Sequence, residues 1–365
     1  MKFSIPREAL LAPIAQVVNV VERRQTLPVL ANFLIEAVED GLRITGTDME
    51  VELIARAKAE VAQTGSITVP ARKLVDICRA LPEGVQINVQ LNQDKLALHA
   101  GRSRFTLATL PASEFPASDQ ADSLQTYQIT QGRLRWLVEK TSFAMAHQDV
   151  RHYLNGLLLE FREGAVRAVA TDGHRLALAE AEAPISGEVR SLIVPRKGVL
   201  ELNRVLEDSD EPLNLVVGQG FLRVDRERIV MTTKLIDGRF PDYEAVIPMA
   251  TDQSLVADRH TIVDALQRVA ILSNEKYRGV RLEMTPGVLR IVAHNPQQEE
   301  ATEEIEAEHT YESLKVGFNV NYLLDALGSI DGGKVRLALR DANSSCLVTA
   351  TDNEAVRQVV MPLKL

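Results

Sequence analysis

Asp172, His174 and Arg175 fall within four positions of one another in ATDGHRLAL, residues 170–178. A carboxylate, an imidazole and a guanidinium so spaced have the makings of a proton-transfer site. Acid–base chemistry asks for more: a nucleophile or a second titrating group must face the imidazole in space, and nearness along the chain does not supply one. The sequence holds no GxSxG elbow, no HExxH, no P-loop and no dinucleotide fingerprint. Cys78 and Cys346, the only cysteines, fit neither a disulfide framework nor a metal motif and read as small core residues. The residues point away from an enzyme and imply no catalytic group, no metal and no cofactor. A His beside an Arg at a strand end is more simply a pair on a surface that meets a partner.

The elements that carry these residues recur along the chain. LRITGTDMEVELIARAK (42–58) resembles VRAVATDGHRLALAEAE (166–182), and LRIVAHNPQQEEATEEIEAE (289–308) is a looser third copy. Asp48, Asp172 and Asn295 are separated by steps of 124 and 123 residues, and Pro70 and Pro195, in ITVPARKLVDICRAL and LIVPRKGVLELNRVL, by 125. VGFNVNYLLDALGSI (316–330) takes the third slot, and each unit closes alike, with SEFP, GRFP and VVMP. The chain therefore reads as three units, 1–122, 123–249 and 250–365. In this alignment Asp172 is a turn residue whose side chain satisfies local backbone. His174 and Arg175 correspond to Glu50 and Val51, so the backbone does not demand them; they belong to the middle unit alone.

Within each unit the pattern is strand, helix, several strands, helix, several strands. Leu10, Ile14, Val17, Val18 and Val21 recur at helical spacing and predict a helix over residues 7–24 with Pro13 kinking it. A second helix follows Val69-Pro70, with Leu74, Ile77 and Leu81 on one face. Alternating β-rich stretches lie between, bounded by Gly, Asn and Asp. Hairpin-linked strands make antiparallel sheets with helices packed on one face, so the class is α+β.

No apolar run reaches membrane-spanning length, and Pro6 and Glu8 interrupt the start where a secretory signal would stay apolar. With the cysteine usage, this predicts a cytoplasmic protein. A net charge of −9 argues against a conventional nucleic-acid binder. The charge is unevenly spread, however: the six expected helices sum to +7, which leaves −16 for the rest. Three copies of one design with basic helices suggest a shared positive face, suited to a rod-like polyanion held loosely. Two other segments complement each other. GRSRF (101–105) brings Arg102 and Arg104 beside Phe105 and Leu107, whereas the third unit has Ile271 and Leu272 and the run with Glu299, Glu300, Glu303 and Glu304. One end could dock onto the other end of a second copy, a heterologous contact that closes into a ring when the rotation permits.

Motifs along the whole chain resemble those of the bacterial DNA polymerase III beta subunit family, the sliding clamps. Among them are TLPVL (26–30), TGTDME (45–50), TVPARK (68–73), MAHQDVRHYLNG (145–156), ATDGHRLA (170–177), VPRKG (194–198), DGRFPDY (237–243), ILSNEK (271–276), GFNVNYLLD (317–325) and VVMPLKL (359–365). The resemblance implies the DNA-clamp fold: three repeated domains, each with two helices on antiparallel sheets, forming half of a closed homodimeric ring that encircles duplex DNA without reading its sequence. It implies partners as well: the replicative polymerase alpha subunit, an ATP-driven clamp loader and other proteins with clamp-binding motifs. They would meet a peptide-binding cleft. One subsite would comprise Thr171, Gly173, His174, Arg175, Leu176, Pro241, Val246, Val359 and Met361. The adjoining groove would comprise Arg151, Tyr153, Leu154, Asn319, Tyr322, Ser345, Pro362 and Leu363. Arg24, His147, Gln148, Tyr153, Arg196 and Lys197 match positions that approach DNA. The segment 341–358 agrees poorly with the family, and Asn343 and Cys346 are left out of the site. An adaptor that binds peptides without encircling anything is the alternative, and it predicts a monomer.

Overall fold

The computed structural model describes every residue except 23–26, 117–122, 250, 252 and 365. Six α-helices are present among the described residues: α1 (Arg7–Val17), α2 (Ala71–Ala80), α3 (Gln131–Thr141), α4 (Arg196–Val205), α5 (Arg259–Ala270) and α6 (Val320–Ser329). Every pairing between named strands is antiparallel, as hairpin connections demand.

The chain forms two compact units. Residues 1–132 and 200–235 make the first, and 133–199 with 236–365 the second. The first holds a five-stranded sheet in which Lys2–Pro6 lies between Glu60–Gln63 and Gln86–Asn92, followed by Lys95–Ala100 and the terminal strand Ser103–Ala108. It also holds an eight-stranded sheet. There Ile229–Lys234 pairs with Val51–Ala57, so strands from the middle repeat continue the sheet of the first repeat. The second unit repeats the device: Arg175–Glu182 pairs with Val356–Val360 inside a nine-stranded sheet. Its other sheet has four strands and ends at Glu300–Glu306. The middle repeat thus contributes four strands to one sheet of each unit.

Burial follows the alternation of side chains. In Gln86–Asn92, Ile87 and Val89 face inward while Gln86, Asn88 and Gln90 face solvent. Gly156–Arg162 is different, because six consecutive residues from Gly156 to Phe161 are buried and the strand is covered on both faces. A carboxylate, Glu160, lies within it.

Two helix expectations need correction. The first helix stops at Val17 and tightens into a 3-10 turn at Val18–Val20, well short of residue 24. The run Val17, Val18, Val20 and Val21 is β-branched and poorly suited to continued α-helix. In α2 the inward face is Ala71, Leu74, Val75 and Cys78, and Ile77 is only half-buried. Both cysteines are buried, and burial raises the thiol pKa of each, to about 11 for Cys78.

Candidate functional site

The turn at Asp172 is built from its own side chains. Asp172 Oδ1 accepts from the N–H groups of His174 (2.9 Å) and Arg175 (3.0 Å), and Thr171 Oγ1 donates to the carbonyl of Arg175 at 2.6 Å. The first repeat reproduces this: Asp48 Oδ1 accepts from Glu50 and Val51 N–H, and Thr47 Oγ1 donates to the carbonyl of Val51. In the third, Asn295 Oδ1 accepts from Gln297 and Glu299 N–H. Met49 (φ 77°) and Gly173 (φ 88°) share the left-handed conformation, so the turn does not by itself require glycine. A Cβ at Gly173 would lie 3.2 Å from Nη2 of Arg151, a contact to which the exposed guanidinium would have to yield.

Arg175 is held on three sides. Its Nε donates to Asp172 Oδ2 (3.1 Å), Nη1 to Asp325 Oδ2 (2.5 Å) and Nη2 to the carbonyl of Phe143 (2.8 Å). The guanidinium also stacks 4.6 Å from the centre of the Tyr322 ring. The side chain is consumed in tying the turn to α6 and to Phe143. His174 remains exposed, its ring nearly parallel to that of Tyr322 with centroids 6.4 Å apart. Its carbonyl accepts from Met361 N–H at 2.9 Å.

The other residues expected in the cleft sort by depth. Leu154, Leu176 and Val359 are nearly fully buried and form floor, not lining. Leu176 and Val359, paired across adjacent strands, join Leu158, Val169, Leu178, Ile193, Phe240 and Tyr243 in one apolar cluster, with Tyr153, Ile247 and Leu347 packed against it. Thr171, Tyr153, Tyr322, Ser345, Met361, Pro362 and Leu363 are half-buried, whereas Arg151, Gly173, Pro241 and Val246 are exposed. Asn319 spends its oxygen capping α6, accepting from Asn321 and Tyr322 N–H, and its amide donates to the carbonyl of Tyr277 at 3.4 Å. Leu363 N–H donates to the carbonyl of Gly317 at 2.7 Å, and Ser345 Oγ lies 2.9 Å from Met361 Sδ. Arg151 grips Asp149 with two bonds, Nε to Oδ1 (3.0 Å) and Nη2 to Oδ2 (2.9 Å). That guanidinium holds the Asp149 carboxyl down at about 2. The result is an apolar floor with a polar rim.

Sequence reading missed several contributors. Asp325 and Phe143 fix Arg175 from 150 and 32 residues away. Phe240 belongs to the apolar cluster, and Ile247 and Leu347 pack against it. Tyr243 donates to Glu160 Oε2 at 2.5 Å, and burial together with that bond lifts its phenol to about 12. Tyr243 and Asp325 stand inside the quoted motifs DGRFPDY and GFNVNYLLD, so attention to those motifs' apolar and acidic members was the available signal.

Among the DNA candidates, Arg196 Nη1 reaches the carbonyl of Met145 at 3.4 Å, which sets it beside the segment with exposed His147 and Gln148. Lys197 is half-buried at the start of α4, and Arg24 lies outside the described residues. Of the subunit-contact candidates, Arg102 and Arg104 are exposed, Phe105 is half-buried, and Leu107 is 7% exposed inside its own unit. Leu107 faces the core because Phe105 and Leu107 alternate with Arg104 and Thr106. Ile271 is 75% exposed beside half-buried Leu272. Glu299, Glu300 and Glu304 are exposed, and Glu303 is engaged by Arg268 at 2.7 Å.

Three family models of the DNA polymerase III beta subunit match in series: the N-terminal domain over residues 1–119, the central domain over 128–242 and the C-terminal domain over 244–364. The beta sliding clamp of Pseudomonas aeruginosa is 52% identical over 100% of both chains. The crystal structure of DNA polymerase III subunit beta from that organism matches with a TM-score of 0.97 at 51% identity over 100% of both chains. A second structure, of the Pseudomonas aeruginosa sliding clamp bound to griselimycin, gives the same coverage, identity and TM-score. The chain belongs to the DNA polymerase III beta subunit family, the beta sliding clamps.

Proposed function

We propose that two copies of this chain join head to tail into a ring that encircles duplex DNA and tethers a replicative polymerase through the cleft around His174 and Tyr322. One observation carries the reading of the subunit contact. The first unit ends a sheet on Ser103–Ala108, and the second ends a sheet on Glu300–Glu306. The first edge presents exposed Arg104 and the second exposed Glu300 and Glu304. Unpaired strand edges of opposite charge on one chain favour a heterologous contact that closes on itself. The three proposed domains, 1–122, 123–249 and 250–365, have boundaries at or beside residues 122 and 250, outside the described residues.

The basic helices supply a weak, sequence-blind attraction. Arg72, Lys73 and Arg79 stand exposed on α2, and such groups balance phosphates without reading bases. Residence on DNA then comes from topology, and a polymerase held at the cleft has a high effective concentration at the primer end. His147, Gln148, Tyr153, Arg196 and Lys197 approach the DNA. The cleft takes short segments of the polymerase alpha subunit, the clamp loader and other partners. No residue turns over a substrate, and the protein works in the cytoplasm.

The test compares dwell on closed circular and linear DNA at moderate salt, after loading. Long residence on circles with rapid loss from linear ends is expected. Equal loss from both overturns encirclement.

A further inference from the structure

We infer that Tyr243 is a positioning residue of the cleft: its hydroxyl, held by Glu160, Arg162 and Arg167, fixes the segment 237–249 so that Pro241 and Val246 stand as one wall of the pocket. The inference rests on the peptide-cleft reading above and goes beyond it by assigning what orients that wall.

Glu160 is only 8% exposed in a strand covered on both faces. A carboxylate so placed needs partners. It accepts from Tyr243 OH (2.5 Å), Ser191 Oγ (3.2 Å) and Arg162 Nε (3.2 Å). The Tyr243 oxygen in turn accepts from Arg167 Nη1 (3.0 Å) and Arg162 Nη2 (3.1 Å). The same two arginines bind Glu244 Oε1, at 2.9 and 3.0 Å, and Arg167 Nε donates to Glu180 at 2.7 Å. Two successive residues of an otherwise irregular segment are therefore pinned to neighbouring strands by one closed set of charges.

That pin sits between the two wall residues. Pro241 follows Phe240, which is anchored in the cluster with Leu176 and Val359, and Val246 precedes Ile247, packed against the same cluster. Val246 N–H donates directly to the carbonyl of Tyr243 at 3.1 Å, and Val246 itself is 36% exposed. An irregular segment with exposed Pro241, Ala245 and Val246 has no ladder of its own to fix these side chains. The phenol supplies the fixed point.

The experiment uses the full-length protein with griselimycin as probe, measured by calorimetry for wild type, Tyr243→Phe, Val246→Ala and the double variant. Removing one hydroxyl from this network is expected to lower affinity roughly ten-fold with the sedimentation coefficient unchanged. The double variant should bind no more weakly than the weaker single variant, because an absent wall cannot be misplaced. A purely stabilising role for Tyr243 gives additive losses, or unchanged affinity in Tyr243→Phe with a lowered Tm, and either result overturns the inference. If Tyr243→Phe does not fold, Glu244→Gln, which loosens the same arginines from the exposed side, is judged by the same criteria. Failure of wild type to bind griselimycin would overturn the cleft reading instead, a distinct outcome.

Discussion

Met361 donates its N–H to the carbonyl of His174 at 2.9 Å, which makes residues 361–363 a side of the Asp172 turn. Two residues on, Leu363 bridges to Gly317. Removal of residues 361–365 should therefore abolish peptide binding at the proposed cleft while leaving the proposed dimer intact, since the proposed subunit contact lies on other strands. Calorimetry and sedimentation of the truncated chain check the two halves separately. Loss of the dimer would mean that the subunit contact has been misplaced.

Arg175 and His174 should behave oppositely on substitution. Arg175→Ala strips partners from Asp172, Asp325 and the Phe143 carbonyl, and the expected cost is about 2 kcal/mol of stability. Arg175→Lys should recover only part of this, because an ammonium cannot reach three separated acceptors with a planar fork. His174→Ala should leave Tm unchanged, since the tail is held by the His174 backbone, and only weaken peptide binding. Thermal denaturation and titration with griselimycin distinguish the three variants.

Charge reversal tests the two sheet edges. Arg104→Glu should give a monomer at micromolar concentration, and adding Glu304→Arg in the same chain should restore the dimer, because the exchange returns opposite signs to the facing edges. Sedimentation reads both. A dimer unaffected by Arg104→Glu would place the contact elsewhere.

The Asp149 carboxyl gives a pH signature. Its pKa is lowered from 3.8 to about 2, chiefly by the Arg151 side-chain hydrogen bonds. A group with a lowered folded-state value adds its stabilisation above the unfolded value and loses it as pH falls through the folded one. The 149–151 loop should therefore be fully held at neutral pH and should loosen between 3.8 and about 2. Carboxyl-carbon NMR of Asp149 should titrate near the lower figure in wild type and return to the ordinary range in Arg151→Ala. A wild-type midpoint of 3.8 would mean that the pair does not persist in solution.

Legibility in the sequence follows the range of the interaction. The turns at Asp48, Asp172 and Asn295 could be read because each side chain bonds backbone two to four residues away. The family resemblance named the cleft residues, but it could not rank Leu176 and Val359 as floor and Val246 as rim, since depth depends on strands far apart in the chain. The anchoring of Arg175 is not legible, because Asp325, its counter-charge, lies 150 residues on. Nothing in the sequence singles out Glu160. Within LLLEF it looks like the solvent-facing member of an alternating strand, and only coverage of both faces turns it into the anchor for Tyr243. Ile77 was placed on the inner face by spacing alone, whereas the packed face is offset by one residue, to Leu74, Val75 and Cys78.

Because Ile229–Lys234 completes the sheet begun by Val51–Ala57, the amino-terminal unit cannot close its largest sheet until residue 234 has been synthesised. A nascent chain leaving the ribosome must keep the Val51–Ala57 edge unpaired while more than 170 further residues are added, at roughly 5–20 residues per second. The sharing of the middle repeat between neighbours thus sets a waiting time of many seconds during biogenesis, in which an open strand is available to the wrong partner.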